Sequence, residues 1–205
     1  MSAGPSRRHL LWQVVETAGF EAAWLSLDGL RLHAMGTAVG QLPRPYWLRY
    51  ELATDANAIT ERLEVVATTD TAEHRLDLLR HNGIWTVNGQ ARPDLADALD
   101  CDLACSPVTN TMPILRHGLA RAPGSQRFVM AFVQVPSLRV VPAAQSYAHL
   151  DSTAVDGAGH GARVRYASGS FSADLTVDAD GVVIDYPTMA RRVEADISVT
   201  SAQRA

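Results

Sequence analysis

SFSADLTVDADGVVIDY, residues 170–186, alternates apolar and polar side chains on either side of an Asp180-Gly181 turn. Phe171, Ala173, Leu175 and Val177 share one face, while Ser172, Asp174, Thr176 and Asp178 share the other. A period of two marks a strand with one dry side and one wet side, and the Asp-Gly pair bends it into a hairpin. One wall of the sheet that holds this hairpin must therefore face an apolar interior.

The same pattern recurs in both directions from this hairpin. In YWLRYEL, Tyr46, Leu48, Tyr50 and Leu52 fall on one face and Trp47, Arg49 and Glu51 on the other. Residues 10–17 and 20–27 read as a first hairpin that bends at Gly19, with Glu21 entering its second strand. Asp28-Gly29, between LSL and LRL, predicts a type I′ turn into a strand that reaches Val39. Strands follow at 60–69 and 73–80, and Asn82-Gly83 and Asn88-Gly89 fold the short run IWTV into a meander. Further strands are expected at 108–119, 127–135 and 138–149, with RFVMAFVQV at 127–135 as a central one. Residues 93–99 are a helical candidate of at most two turns, with Pro93 in its first turn. The Gly-rich stretch 151–161 reads as a loop within the domain. About a dozen strands with local connections predict a mainly β fold. We expect a large, strongly curved antiparallel sheet forming an incomplete or closed barrel, with one or two short helices, in a single domain over 1–205.

With 205 residues, 47% of them hydrophobic, the chain can bury a sizeable core, and its net charge of -4 supplies no basic field for nucleic acid. Met1 to Arg8 is short, polar and basic, with neither a signal-peptide core after it nor an apolar run of about 20 residues, so the expectation is a cytoplasmic protein with no transmembrane segment. Cys101 and Cys105 are the only cysteines. A C-x3-C pair falls short of a structural zinc set, and buried free thiols are expected. The seven histidines are scattered without metal-ligand spacing, and no G-x-S-x-G elbow or glycine-rich phosphate loop occurs. Neither a metal nor a cofactor is therefore expected. Nothing in the sequence sets the oligomeric state.

Chemistry-bearing residues concentrate in DCDLACSPVTNTMPILRH, residues 100–117, where polar groups sit in an otherwise interior-like segment and need assigned partners. Asp100 and Asp102 share a face if this is a strand. They either work as acid and base with His117, or Asp100 caps backbone N–H groups while Asp102 pairs with an arginine. Pro113 should bend the strand at Thr109-Asn110-Thr111-Met112-Pro113, with Asn110 bonding the freed backbone and Arg116 reaching a buried acid such as Glu21 or Asp102. Trp12, Trp24, Trp47 and Trp85 lie on expected strands, where an indole either packs in the core or stacks on a sugar or acyl chain. Tyr147 with Gln145, Tyr186, and Arg191-Arg192 are further polar and aromatic candidates. The arginines would hold an anionic headgroup at a cavity mouth or pair with Glu194 or Asp196. The candidate ligand-binding set is Trp24, Trp47, Trp85, Asn110, Arg116, Tyr147, Tyr186 and Arg191.

The order of these motifs resembles a known family. Trp12, Gly19-Phe20-Glu21, YELATD at 50–55, Gly83-x-Trp85, the block from DCDL to PVTNTMPILR, Gln145-x-Tyr147 and VDADGVVIDYP followed by Arg191-Arg192-Val193 are together similar to the putative glycolipid-binding family of bacteria. The resemblance implies a fold like that of bacterial lipoprotein carriers, an incomplete barrel with an apolar concave side and short helices near its opening. It implies no catalytic residues. The expected function is non-enzymatic binding of an amphipathic lipid or glycolipid. The alternatives are an enzyme acting on a lipid or sugar through Asp100, Asp102 and His117, and a filled barrel that mediates protein contacts. A concavity of roughly 300 Å3 or more would separate the binder from the filled barrel.

Overall fold

The computed structural model describes residues 6–155 and 159–193. Its strands form one sheet laid down as two meanders. The first runs outward from the middle of the sheet: β1 (Ser6–Val14), β2 (Gly19–Asp28), β3 (Arg31–Gly40), β4 (Tyr46–Thr54), β5 (Thr60–Thr69), β6 (Glu73–His81), β7 (Ile84–Val87) and β8 (Gln90–Ala91). The chain then crosses to the opposite edge at β9 (Ala98–Leu103). It returns through β10 (Ser125–Val133), β11 (Val140–Val155), β12 (Gly159–Ser168), β13 (Phe171–Asp178), β14 (Val183–Tyr186) and β15 (Ala190–Arg192), which pairs with β1. Every pairing is antiparallel except the parallel β9–β10 pair.

Side chains of β4 alternate as the pattern demands, whereas in β13 Phe171, expected on the dry face, is exposed and Asp178, expected on the wet one, is buried where Arg8 and Arg192 meet it. Tyr46, Leu48, Tyr50 and Leu52 are buried while Trp47, Arg49 and Glu51 are exposed. Trp12, Leu25, Leu48, Leu63 and Leu78 are fully buried on the inner face, each such apolar side chain stabilising by about 1.5–3 kcal/mol. Glycine on β3 makes room for a tyrosine ring of β4. Gly36 lies opposite Tyr50, and a Cβ there would stand 2.4 Å from the tyrosine ring. The ring folds over the space that a side chain would have filled.

No ladder joins the edges β8 and β9, so the barrel is incomplete rather than closed. Side chains bridge the two sides instead. Trp85 of β7 donates Nε1–H to the Ala98 carbonyl of β9 at 2.9 Å. The Thr60 hydroxyl of β5 accepts from the Cys101 amide at 3.1 Å. Arg92 reaches the Val140 carbonyl of β11 at 3.0 Å.

The structure departs from the sequence expectation at several places. The strand expected over 108–119 is a 3-10 turn (Pro107–Asn110) leading into the short helix α1 (Thr111–Arg116). Pro107 and Pro113 both stand in first turns, where their missing N–H groups forfeit no bond. Residues 93–99 hold a 3-10 turn (Pro93–Leu95) and then the start of β9. β10 is one place from the sheet edge, not central. Residues 151–155 and 159–161 belong to β11 and β12 rather than to a loop, while 156–158 fall outside the described residues. The turn after Asp28 has positive φ at its first central residue, Gly29, and not at Leu30, which is the type II′ rather than the I′ pattern. The two Asn-Gly turns have both central residues at positive φ, as type I′ requires.

Candidate ligand-binding site

At one end of the coiled sheet a cavity of about 450 Å3 opens between β9 to β14 and the 3-10 turn after β9. Its walls carry Phe132, Tyr166, Phe171, Tyr186 and Met189, and its floor carries Asp102, Asn110 and Gln145. The floor is buried, whereas Glu16, Phe171 and Thr188 are exposed and mark the mouth. Tyr166, Phe171 and Tyr186 form a triangle with ring centroids 5.7, 6.1 and 6.4 Å apart. Among the described residues, no arginine, lysine or histidine lines this cavity.

The floor is one hydrogen-bonded chain. Asp102 accepts from Gln145 Nε2 at 2.6 Å and from the Thr109 hydroxyl at 3.0 Å. Tyr147 donates to Gln145 Oε1 at 3.4 Å and accepts from Asn110 Nδ2 at 2.9 Å. Asn110 Oδ1 is buried and finds no partner among the described residues. Asp102 has neutral donors and, among the described residues, no cation within ion-pair distance. Burial raises its pKa, with Gln145 and Thr109 pulling the other way. Partial desolvation at the mouth also raises the Glu16 pKa, and the Asp102 charge adds to that effect. Burial drives the Tyr166 phenol up to about 12 and keeps it neutral.

Three more buried carboxylates stand outside the cavity lining, and one of them, Asp178, is held by Arg8 and Arg192 at 3.0 and 2.9 Å. Asp100 meets Arg116 in a bidentate pair, Nη1 to Oδ1 at 2.8 Å and Nη2 to Oδ2 at 2.5 Å. Arg116 Nη1 also donates to the Ala58 carbonyl at 2.8 Å, which ties α1 to the loop before β5. Burial raises the Asp100 pKa, and the guanidinium opposes that rise. Glu21 of β2 accepts from the Tyr50 hydroxyl at 2.6 Å and from Ser106 Oγ at 2.5 Å. Burial takes its pKa up to about 7, against the pull of those two donors.

The residues singled out from sequence scatter among three environments. Asn110 and Tyr186 line the cavity, and Tyr147 lies directly behind it, fully buried. Trp85 is in the core, and Arg116 belongs to the Asp100 clasp. Trp24, Trp47 and Arg191 face outward. Trp24 stacks near His9 with the Arg7 guanidinium 4.8 Å from its ring, Trp47 is 64% exposed, and Arg191 pairs with Asp185 at 3.0 Å. Arg192 bonds Asp178 at 2.9 Å. The pairing with Glu194 or Asp196 lies outside the described residues. The expected partners in the 100–117 block are exchanged, since Asp100 takes the arginine and Asp102 does not. Asn110 bonds a side chain, Tyr147, instead of freed backbone. Cys101 and Cys105 are buried free thiols, and burial raises the pKa of both. His117 leans on Phe128, with ring centroids 5.3 Å apart, and does not line the cavity, so Asp100, Asp102 and His117 do not converge on one space. Sequence reasoning passed over Glu16, Tyr166 and Phe171. The alternation in GARVRYAS, with Val164 and Tyr166 turned in and Arg163 and Arg165 turned out, carried the signal for Tyr166.

An open half-barrel with an aromatic-walled cavity at one end defines a class of β-sheet proteins built around a concave interior. The chain belongs to the family described as "Putative glycolipid-binding", which it matches over residues 9–192. Among solved structures it is similar to a DUF1089 family protein from Pseudomonas aeruginosa, with 30% identity and a TM-score of 0.69 over 84% of this chain and 92% of that one. It is also similar in fold to a beta-barrel-like protein of domain of unknown function DUF1849 from Brucella abortus, with 11% identity and a TM-score of 0.54 over 93% and 95% of the two chains. No curated protein matches it. No helix among the described residues is long and apolar enough to cross a membrane.

Proposed function

We propose that the protein binds an amphipathic lipid or glycolipid in this cavity, without turnover. The observation that carries the reading is a 450 Å3 space with aromatic walls over a floor of oriented polar side chains. Ligand pockets run from about 300 to 1,000 Å3 and combine apolar lining with a few fixed polar groups. A space near the lower end of that range takes a polar head against the Tyr166 and Tyr186 rings, and an attached chain leaves past Phe171. Membership of the family supports the same ligand class.

Native mass spectrometry of protein purified from its own host, followed by organic extraction, tests the proposal together with calorimetric titration of octyl glucoside below its micelle concentration. We expect one ligand per chain and saturable binding that weakens at least about tenfold in Tyr166→Ala, the size of effect lost aromatic contacts produce. Ligand-free protein that also ignores the glucoside would refute it.

A further inference from the structure

The charged groups of the cavity are all acidic, and the donors among its walls are the neutral hydroxyls of Tyr166, Ser168, Tyr186 and Thr188. Asp102 accepts only, and by taking the Gln145 Nε2–H bond it turns that amide so that Oε1 faces Tyr147. Tyr147 spends its proton there and accepts from Asn110 Nδ2. The Tyr147 hydroxyl and one N–H of each amide thus point along the chain toward Asp102, and the acceptor Asn110 Oδ1 is left buried and unpartnered among the described residues. Glu16 adds a second carboxylate at the mouth, and no basic side chain among the described residues answers either one. A buried acceptor without a donor is destabilising, so the arrangement is complete only when something else brings the donor.

The walls favour the same kind of occupant. Tyr166, Phe171 and Tyr186 stand with centroids 5.7–6.4 Å apart, so a group placed over their triangle lies within the roughly 6 Å reach at which ring faces attract cations. An anionic head would meet two carboxylates in a space with low dielectric. A neutral sugar would satisfy Asn110 but leave the carboxylates uncompensated. We infer that the head this cavity selects carries a cationic nitrogen bearing N–H groups, held between the aromatic triangle, Asp102 and Asn110 Oδ1. The inference rests on the reading that this cavity takes an amphiphile, and it narrows the class to amine-bearing ones, an amino-sugar lipid among them.

The test compares three probes with one chain, octylammonium, octyl glucoside and octyl sulfate, titrated calorimetrically at pH 7 below micelle formation. We expect octylammonium to bind about tenfold or more tighter than the glucoside, the size of effect one well-placed charge produces, and the sulfate to bind weakest. Protons next to the nitrogen should move upfield in the NMR spectrum through the ring currents of the aromatic triangle. The preference for ammonium should fall at least fivefold in Asp102→Asn. It should fall to a smaller extent in Glu16→Gln, an exposed position that keeps the test valid if the first variant folds poorly. Glucoside binding at least as tight as ammonium binding would overturn the inference and leave the lipid-binding reading standing. An ammonium preference unchanged in both variants would overturn it equally, as attraction to the net negative surface. Failure of octylammonium to bind would overturn it as well, and failure of all three probes with ligand-free native spectra would remove both.

Discussion

Asp100 and Asp102 are two residues apart on β9, on the same side of the strand, and both are buried. Their surroundings differ completely. Asp100 is met by a guanidinium with two parallel hydrogen bonds, and that pair in turn fixes α1 against the sheet. Asp102 is met by an amide and a hydroxyl, and it borders open space. Depth of burial does not separate a structural carboxylate from one available to a ligand. What separates them is whether the protein itself supplies the opposite charge.

The strongest way to break this contrast is Arg116→Met, which leaves Asp100 buried without its cation. We expect a loss of about 3–5 kcal/mol in urea unfolding, the range for removing one partner of a buried pair. A loss below about 1 kcal/mol would mean the clasp is not structural. Asp102→Asn gives up no ion pair and should lose only about 1–2 kcal/mol, the range for disturbed buried hydrogen bonds.

Glu21 extends the comparison to a third buried carboxylate, one made costly by burial alone. Its pKa in the folded protein is about 7, above the ordinary 4.5. The folded state therefore holds its proton where the unfolded state has lost it, and the associated stability is full below about pH 4.5 and lost as pH rises through 7. This group should account for a decline on the order of 3 kcal/mol between pH 4.5 and 8. Glu21→Gln, which mimics the protonated form, should flatten the profile and exceed the wild type in stability at pH 8. Parallel profiles for the two proteins would show that Glu21 titrates normally.

A smaller effect is expected at Asn110, which donates one bond to Tyr147. Asn110→Ala should cost about 1–2 kcal/mol and weaken octylammonium more than octyl glucoside. A stability loss with equal affinity for both probes would reduce Asn110 to scaffold. The smallest effect belongs to the convex face. Trp24→Ala and Trp47→Ala should change stability by less than about 0.5 kcal/mol, as exposed substitutions do, and leave glucoside binding intact. A tenfold drop in affinity for either would move the site to the outside of the sheet.

Much of the fold was legible because it rests on local repetition. The alternation in YWLRYEL and the Asn-Gly pairs locate β4 and the β6 to β8 meander without reference to distant residues. The strand expected over 108–119 is helical instead, because prolines that break a ladder also begin helical turns, and only the space inside the coiled sheet decides between them. The candidate site was legible in part. Asn110, Tyr147 and Tyr186 stand out by residue type, but Trp24 and Trp47 carry the same aromatic signal on the outer face.

By itself, the sequence determined most of the strands and the family, since a period of two and the turn residues act over a few positions. Tertiary structure alone decided which edge β9 occupies, that Arg116 answers Asp100 and not Asp102, and that Glu16, Tyr166, Phe171 and Tyr186 surround one space. Those outcomes depend on how far the sheet coils and on which charge finds its counterpart. Both are set by contacts between residues tens of positions apart, to which local pattern is blind.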